Sequence, residues 1–90
     1  MTNADPLLEA VRAIIERVAG PDRTPPASSA DTPLADGFWL DSVELLEVLV
    51  ACETEFGILL DESSVIEAGA FGTLGSLADL VRFRLAGRQP

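Results

Sequence analysis

Apolar residues recur at helical spacing in three separate runs of this chain, and this feature constrains its fold more than any other. No run alternates with period two for long enough to predict a sheet. The 90 residues are enough for one small domain. The sequence therefore predicts a single all-α domain over residues 1–90, with an ordered core at about residues 5–85.

The first apolar run, DPLLEAVRAIIERVAG, predicts helix one. Asp5 can cap this helix, Pro6 suits the first helical position, and Gly20 followed by Pro21 ends it. Its apolar face consists of Leu7, Leu8, Val11, Ile14, Ile15 and Val18. We expect that face to pack on the core.

The segment that follows, PDRTPPASSADTPLADGFW, is rich in Pro, Ser, Asp and Gly and predicts a long loop with no pattern of its own. Loops of this length are uncommon in a compact domain and are often functional. Leu34, Phe38 and Trp39 are its candidates for holding the loop against the core. We interpret Trp39 as a packing anchor rather than a ligand contact.

The central run, DSVELLEVLVACETEFG, predicts helix two, which Gly57 ends. Its core-facing stripe consists of Leu45, Val48, Leu49, Cys52 and Phe56. Burial of one large apolar side chain contributes about 1.5–3 kcal/mol, so this stripe decides how the helix faces. Cys52 is accordingly predicted to be a small buried hydrophobe rather than a reactive thiol.

Two further helices complete the prediction. A short third helix is expected within Glu62 to Ala68, and a last helix from about Leu74 to Leu85 with Thr73 as its N-cap. The apolar face of the last helix consists of Leu74, Leu77, Ala78, Val81 and Leu85, and AGRQP is expected to fray. The predicted fold is a four-helix bundle, with three main helices, one short third helix and a long loop between helices one and two.

Charge narrows the class of partner. Fifteen acids face six bases, all of them arginine, for a net charge of -9. This charge opposes binding to nucleic acid or to an anionic membrane and favours a basic protein partner. Cys52 is the single cysteine and histidine is absent, which excludes an intrachain disulfide and a Cys/His metal site. The sequence has no signal-peptide pattern and no long apolar span, so we expect a cytoplasmic protein. We also expect a monomer with no metal.

Catalysis by this chain itself is not expected. A serine nucleophile such as Ser42 needs a base within hydrogen-bond reach, and the chain has neither His nor Lys. No glycine pattern predicts a loop that binds phosphates. The sequence therefore predicts a protein that is not itself an enzyme.

Ser42 lies at the start of helix two. Asp41 and Glu44 on either side of it are three residues apart, which is the spacing of a capping box. Ser42 could itself cap the helix or occupy its first position. The core stripe excludes Ser42, so its hydroxyl is expected to face water, where backbone N–H groups and the helix dipole favour a phosphate. A second stripe, Val43, Glu47, Val50 and Thr54, faces away from the core and is flanked by Glu44, Glu53 and Glu55. An apolar strip edged by acids is typical of a docking surface.

These features together resemble the acyl carrier proteins over nearly the whole chain. The resemblance includes helix one, the long loop, LDSVELLEVLVACETEFGI and the closing TLGSLADLVRF. Its hallmark is Asp-Ser before an aliphatic residue, here Asp41, Ser42 and Val43, opening an acidic helix that ends in Glu53, Glu55, Phe56 and Gly57. An acyl-carrier-like bundle is the implied fold.

The resemblance also implies a role for each residue of the motif. Ser42 would receive 4′-phosphopantetheine from a phosphopantetheinyl transferase, and Asp41 would be the adjacent acid that helps the transferase act. Glu44 and Glu47 match acidic positions that basic patches of partner enzymes recognise. Those partners would be acyltransferases, adenylating enzymes or ketosynthase-type enzymes, and the substrate would be carried as a thioester.

The cargo is the open question. GFWLDS looks closer to the approach of peptidyl and aminoacyl carriers, and Val43 and Val50 stand where fatty-acid carriers commonly have Leu or Met. These differences favour a discrete carrier in a specialised polyketide, nonribosomal-peptide or aminoacyl pathway, such as antibiotic biosynthesis. Two alternatives stay open: a fatty-acid-synthesis carrier, and an unmodified helical interaction module in which Ser42 only begins a helix.

Overall fold

The computed structural model describes residues 6–20, 22, 29–67 and 69–87, with the side chains of residues 36 and 64 left aside. Within these ranges the chain forms five helices and no strand, which are α1 Pro6–Ala19, α2 Leu34–Gly37, α3 Ser42–Phe56, α4 Glu62–Glu67 and α5 Leu74–Gly87. None of these helices is long and apolar enough to cross a membrane. The predicted all-α bundle is confirmed, with α1, α3, α4 and α5 as its four expected helices.

Helix α1 packs against both α3 and α5 and so forms one side of the core. Its predicted face is confirmed, because Val11, Ile14 and Ile15 are buried and Leu7, Leu8 and Val18 pack partly buried against them. The helix ends at Ala19, as predicted, and Gly20 follows with a φ of +88°, which glycine adopts without strain. The proposed cap at Asp5 and the stop at Pro21 lie outside the described residues.

The inward faces of α3 and α5 complete the core. In α3, Val48, Leu49 and Cys52 are buried, and Leu45 and Phe56 pack against them. In α5 the buried residues are Leu74, Leu77, Ala78 and Val81, with Leu85 partly buried. Both core faces agree with the prediction from helical spacing.

The predicted end of α3 and start of α5 are confirmed, but α5 continues to Gly87, so the first two residues of the segment expected to fray are helical and the other three lie outside the described residues. Gly57 ends α3 in the left-handed conformation, with φ +65°, and its N–H donates to Glu53 O at 2.9 Å. Thr73 caps α5, because its Oγ1 accepts from Ser76 N–H at 3.1 Å. Helix α4 lies within its predicted range and ends at Glu67.

The loop before α3 differs from its prediction in two respects. It contains the short helix α2, which begins at the buried Leu34. It buries Leu34 and Phe38 as expected but leaves Trp39 exposed, so the interpretation of Trp39 as a packing anchor was wrong. Leu40 is buried instead. Trp39 has a positive φ, and its side chain points away from the core although both of its neighbours in the chain are buried.

The end of this loop is fastened to the start of α5. Three backbone hydrogen bonds join them, Leu34 N–H to Gly72 O at 3.1 Å, Leu74 N–H to Thr32 O at 3.0 Å and Gly75 N–H to Ala30 O at 2.8 Å. A Cβ on Gly75 would lie 2.9 Å from Ala30 O, so this close approach depends on glycine. The chain that leads into α3 is thus held by backbone bonds as well as by its buried side chains.

Candidate functional site

Ser42 is the first residue of α3, and it is exposed to solvent. Asp41 precedes it with extended backbone angles, φ −87° and ψ 178°, and is the N-cap. Of the two positions that the sequence left open for Ser42, the structure selects the first helical position. The Ser42 hydroxyl therefore does not cap the helix, and it is exposed to water at the helix N-terminus.

A complete capping box surrounds Ser42. The Asp41 carboxylate accepts from Glu44 N–H at 2.8 Å, and the Glu44 carboxylate accepts from Asp41 N–H at 3.2 Å. One of the first-turn N–H groups is therefore already used, and two carboxylates offset the positive end of the helix dipole. The Asp41 carboxylate occupies the Glu44 N–H, and Ser42 itself is exposed, so the expectation that this helix end favours a phosphate stays a prediction.

The outward face of α3 begins at the same end of the helix. Its members are Val43, Leu46, Glu47, Val50 and Thr54, all of them exposed, and we call this set the outer face. Val43 and Val50 are 65 % and 60 % exposed, as predicted for residues that face away from the core. Leu46, 40 % exposed, was missed, although it lies three residues after Val43 and four before Val50, which is helical spacing.

The acidic side chains beside the outer face have different partners. Glu44 belongs to the capping box, and the Glu53 carboxylate accepts from Leu60 N–H at 2.8 Å, which holds the chain after α3. Glu55 lies 4.0 Å from the Arg17 guanidinium. Among the residues that the structure describes, none forms a hydrogen bond or ion pair with the Glu47 carboxylate. Glu47 is thus the acid of this surface most open to a basic partner.

Cys52 lies on the opposite side of α3 from the outer face and is fully buried. Burial raises the pKa of its thiol to about 12, while the nearby Arg17 lowers that pKa and Glu53 and Glu55 raise it. The thiol therefore stays protonated near neutral pH and is not a nucleophile. The prediction of a small buried hydrophobe is confirmed.

Trp39, three residues before Ser42, is the feature that sequence reasoning interpreted wrongly. It is 64 % exposed and has a φ of +57°, in the left-handed region, while Phe38 and Leu40 on either side are buried. This conformation costs a residue other than glycine about 1–2 kcal/mol. Hydrophobicity alone could not find it, because tryptophan rarely adopts a positive φ and nothing in FWL indicates one.

A comparison with protein families was made on the whole chain. The family model described as "phosphopantetheine attachment site" matches residues 9–81, which run from the first turn of α1 into α5. Proteins of that family carry 4′-phosphopantetheine covalently on a serine. No curated protein matches the chain.

Proposed function

The chain belongs to the family of phosphopantetheine attachment sites and is a carrier domain, and from this we propose that Ser42 is its attachment residue. The observation that supports this most directly is the exposed hydroxyl on the first residue of α3. A transferase must reach the serine oxygen, and Ser42 offers it on a rigid helix end.

The other described serines of the matched region are less suited. Ser76 is half-buried, and its hydroxyl is used at the start of α5, where it lies 2.9 Å from Thr73 N. The Ser29 hydroxyl accepts from Asp31 N–H at 3.3 Å within the loop. Ser63 is exposed in α4, a helix of six residues, but it is the second residue of that helix, after Glu62, whereas Ser42 is the first residue of α3. Ser63 therefore serves as the matched control for Ser42.

When bound, the group supplies a terminal thiol that holds an acyl substrate as a thioester. The protein's own contribution is positional. Asp41 and Glu44 fix the helix end through the capping box, so that Ser42 is held at a defined position. Cys52 cannot compete for the substrate, because its thiol is buried and stays protonated.

We further propose that partner enzymes dock on the outer face of α3. The exposed Val43, Leu46 and Val50 provide apolar contact next to Ser42, and Glu47 provides charge for a basic rim. The partners are the transferase and the enzymes that load or use the substrate. The GFWLDS approach and the valines at Val43 and Val50 support an aminoacyl, peptidyl or polyketide cargo in a specialised pathway.

Intact mass measurement tests the attachment. The protein is coexpressed with a phosphopantetheinyl transferase of broad specificity, as wild type, as Ser42→Ala and as Ser63→Ala. We expect the mass of one phosphopantetheinyl group on the wild type and on Ser63→Ala, and none on Ser42→Ala. If the wild type stays unmodified, or if Ser42→Ala is modified, the assignment fails and an unmodified interaction module becomes the better interpretation.

A further inference from the structure

The indole of Trp39 is held on the surface by the loop around it. Phe38 and Leu40 are buried on either side, and Leu34 at the start of α2 is buried as well. Leu40 N–H also donates to Leu34 O at 3.4 Å. The backbone that carries Trp39 is therefore fastened before and after it, and the exposure of its side chain is part of the folded structure.

The positive φ at this position does not itself favour a tryptophan. Glycine adopts a positive φ without strain, and the apolar packing of the loop comes from Phe38 and Leu40. A residue held in an unfavourable conformation with its large apolar surface in water is expected where that surface has a use.

The position of Trp39 indicates what that use is. Three peptide units separate it from Ser42, so the two Cα atoms are at most about 11 Å apart. A protein that covers about 800 Å² around Ser42, an ordinary interface, reaches about 16 Å from its centre. An interface of that size centred on Ser42 is therefore wide enough to include the exposed Trp39.

We propose that Trp39 is the principal apolar contact through which the enzymes that act on Ser42 recognise this carrier, an inference that rests on the function proposed above. The partner is an enzyme surface with an apolar pocket for the indole and a basic rim for the acids of α3. Tryptophan is the residue type most enriched among the side chains that dominate binding energy at interfaces. Val43 and Leu46, on the outer face, are further exposed apolar residues close to Ser42 in the chain.

The transferase reaction tests the proposal, because it needs no knowledge of the cargo. Loading of the unmodified protein is followed by intact mass over a range of carrier concentrations, for wild type, Trp39→Ala, Trp39→Gly and Trp39→Phe. Phe83→Ala is the control, since Phe83 is a 70 % exposed aromatic residue on α5. We expect KM to rise at least tenfold in Trp39→Ala and Trp39→Gly with kcat changed less than twofold. Trp39→Phe should recover part of the loss, and Phe83→Ala should match the wild type.

A second readout is independent of turnover. Trp39 is the single tryptophan of the chain, so 5-fluorotryptophan labels it alone and its ¹⁹F resonance reports on its surroundings. We expect the resonance to shift when unlabelled transferase is added to the unmodified carrier. Because Trp39→Gly relieves the positive φ, circular dichroism should show it folded, which separates lost recognition from lost structure.

Three results would overturn the proposal. A KM for Trp39→Ala within twofold of the wild type would do so, as would a ¹⁹F resonance unchanged at saturating transferase. A resonance that shifts only on attachment of the group, with KM unchanged, would show that the indole contacts the arm and not the enzyme. Each of these leaves Ser42 loaded in the wild type, whereas failure of the proposed function leaves the wild type unloaded.

Discussion

Replacing the N-cap residue Asp41 separates the stability of the helix start from its recognition. Asp41→Ala removes the 2.8 Å hydrogen bond from Glu44 N–H but leaves the bond from the backbone N–H of residue 41 to the Glu44 carboxylate. Loss of an N-cap side chain costs about 0.5–2 kcal/mol. Because the site is exposed, water can replace the lost acceptor, so we expect a loss of about 1 kcal/mol.

Asp41→Asn is the matched variant, because its amide oxygen can still cap the helix. Asparagine and aspartate are nearly equal as caps, so the loss should stay below about 0.5 kcal/mol, the part owed to charge at the helix dipole. In a domain of this size, 1 kcal/mol corresponds to a Tm change of about 4–8 °C. Thermal unfolding followed by circular dichroism should therefore show a drop of that size for Asp41→Ala and a much smaller one for Asp41→Asn.

Two outcomes would refute this reasoning. If Asp41→Asn destabilises the protein as much as Asp41→Ala, the carboxylate acts through its charge and not as a hydrogen-bonded cap. If neither variant lowers Tm, the capping box contributes nothing to the folded state. Loading by the transferase can then be compared at equal stability. A slower reaction in Asp41→Asn with Tm retained would assign the negative charge to recognition.

Four further predictions concern α3. Cys52 should resist iodoacetamide at pH 8 until the protein unfolds, and alkylation of the folded protein at the rate of a free thiol would contradict its burial. Burial raises the pKa of Cys52 from 9.0 to about 12, so the folded protein holds the thiol proton more tightly than the unfolded chain does. The contribution of this proton to the free energy of unfolding is complete below pH 9. Stability should fall above that, by up to about 1.4 kcal/mol per pH unit in urea titrations. The chain has no Lys, Tyr or His to mask this slope, which Cys52→Ala should abolish. Glu53→Ala should lower the free energy of unfolding in urea by about 1–3 kcal/mol, because it leaves the half-buried Leu60 N–H without its acceptor. Glu53→Gln should lower it less. Equal losses for the two variants would exclude the hydrogen bond as the cause. Glu47→Arg should slow association with the transferase, most strongly at low salt. Glu9→Arg makes the same change of charge on α1 and should not slow association. Equal association rates for the two variants would show that Glu47 is not part of the interface.

The helical elements could be predicted because their causes are local or periodic. The stripe through Val48, Leu49 and Cys52 follows from a period of 3.6 residues, and such a stripe must face the core wherever the helix lies. The end at Gly57 and the cap at Thr73 follow from the conformational preferences of single residues. The exposure of Ser42 follows from the same stripe, since a residue outside it faces away from the core.

The loop before α3 could not be predicted in the same way, because distant partners determine its conformation. Its register depends on backbone bonds to the start of α5, about 40 residues further along the chain, and on the space left by a glycine there. Leu34, Phe38, Trp39 and Leu40 are all apolar, so hydrophobicity alone does not say which of them remains outside. The sequence alone determined the helices, the family resemblance and the serine that opens α3, because helical period and capping are local. The sequence left open whether Asp41 or Ser42 caps the helix, and the structure selects Asp41. Only the tertiary structure decided that Glu53 holds the next segment and that Trp39, three residues before Ser42, is exposed, because each depends on which groups the fold brings together.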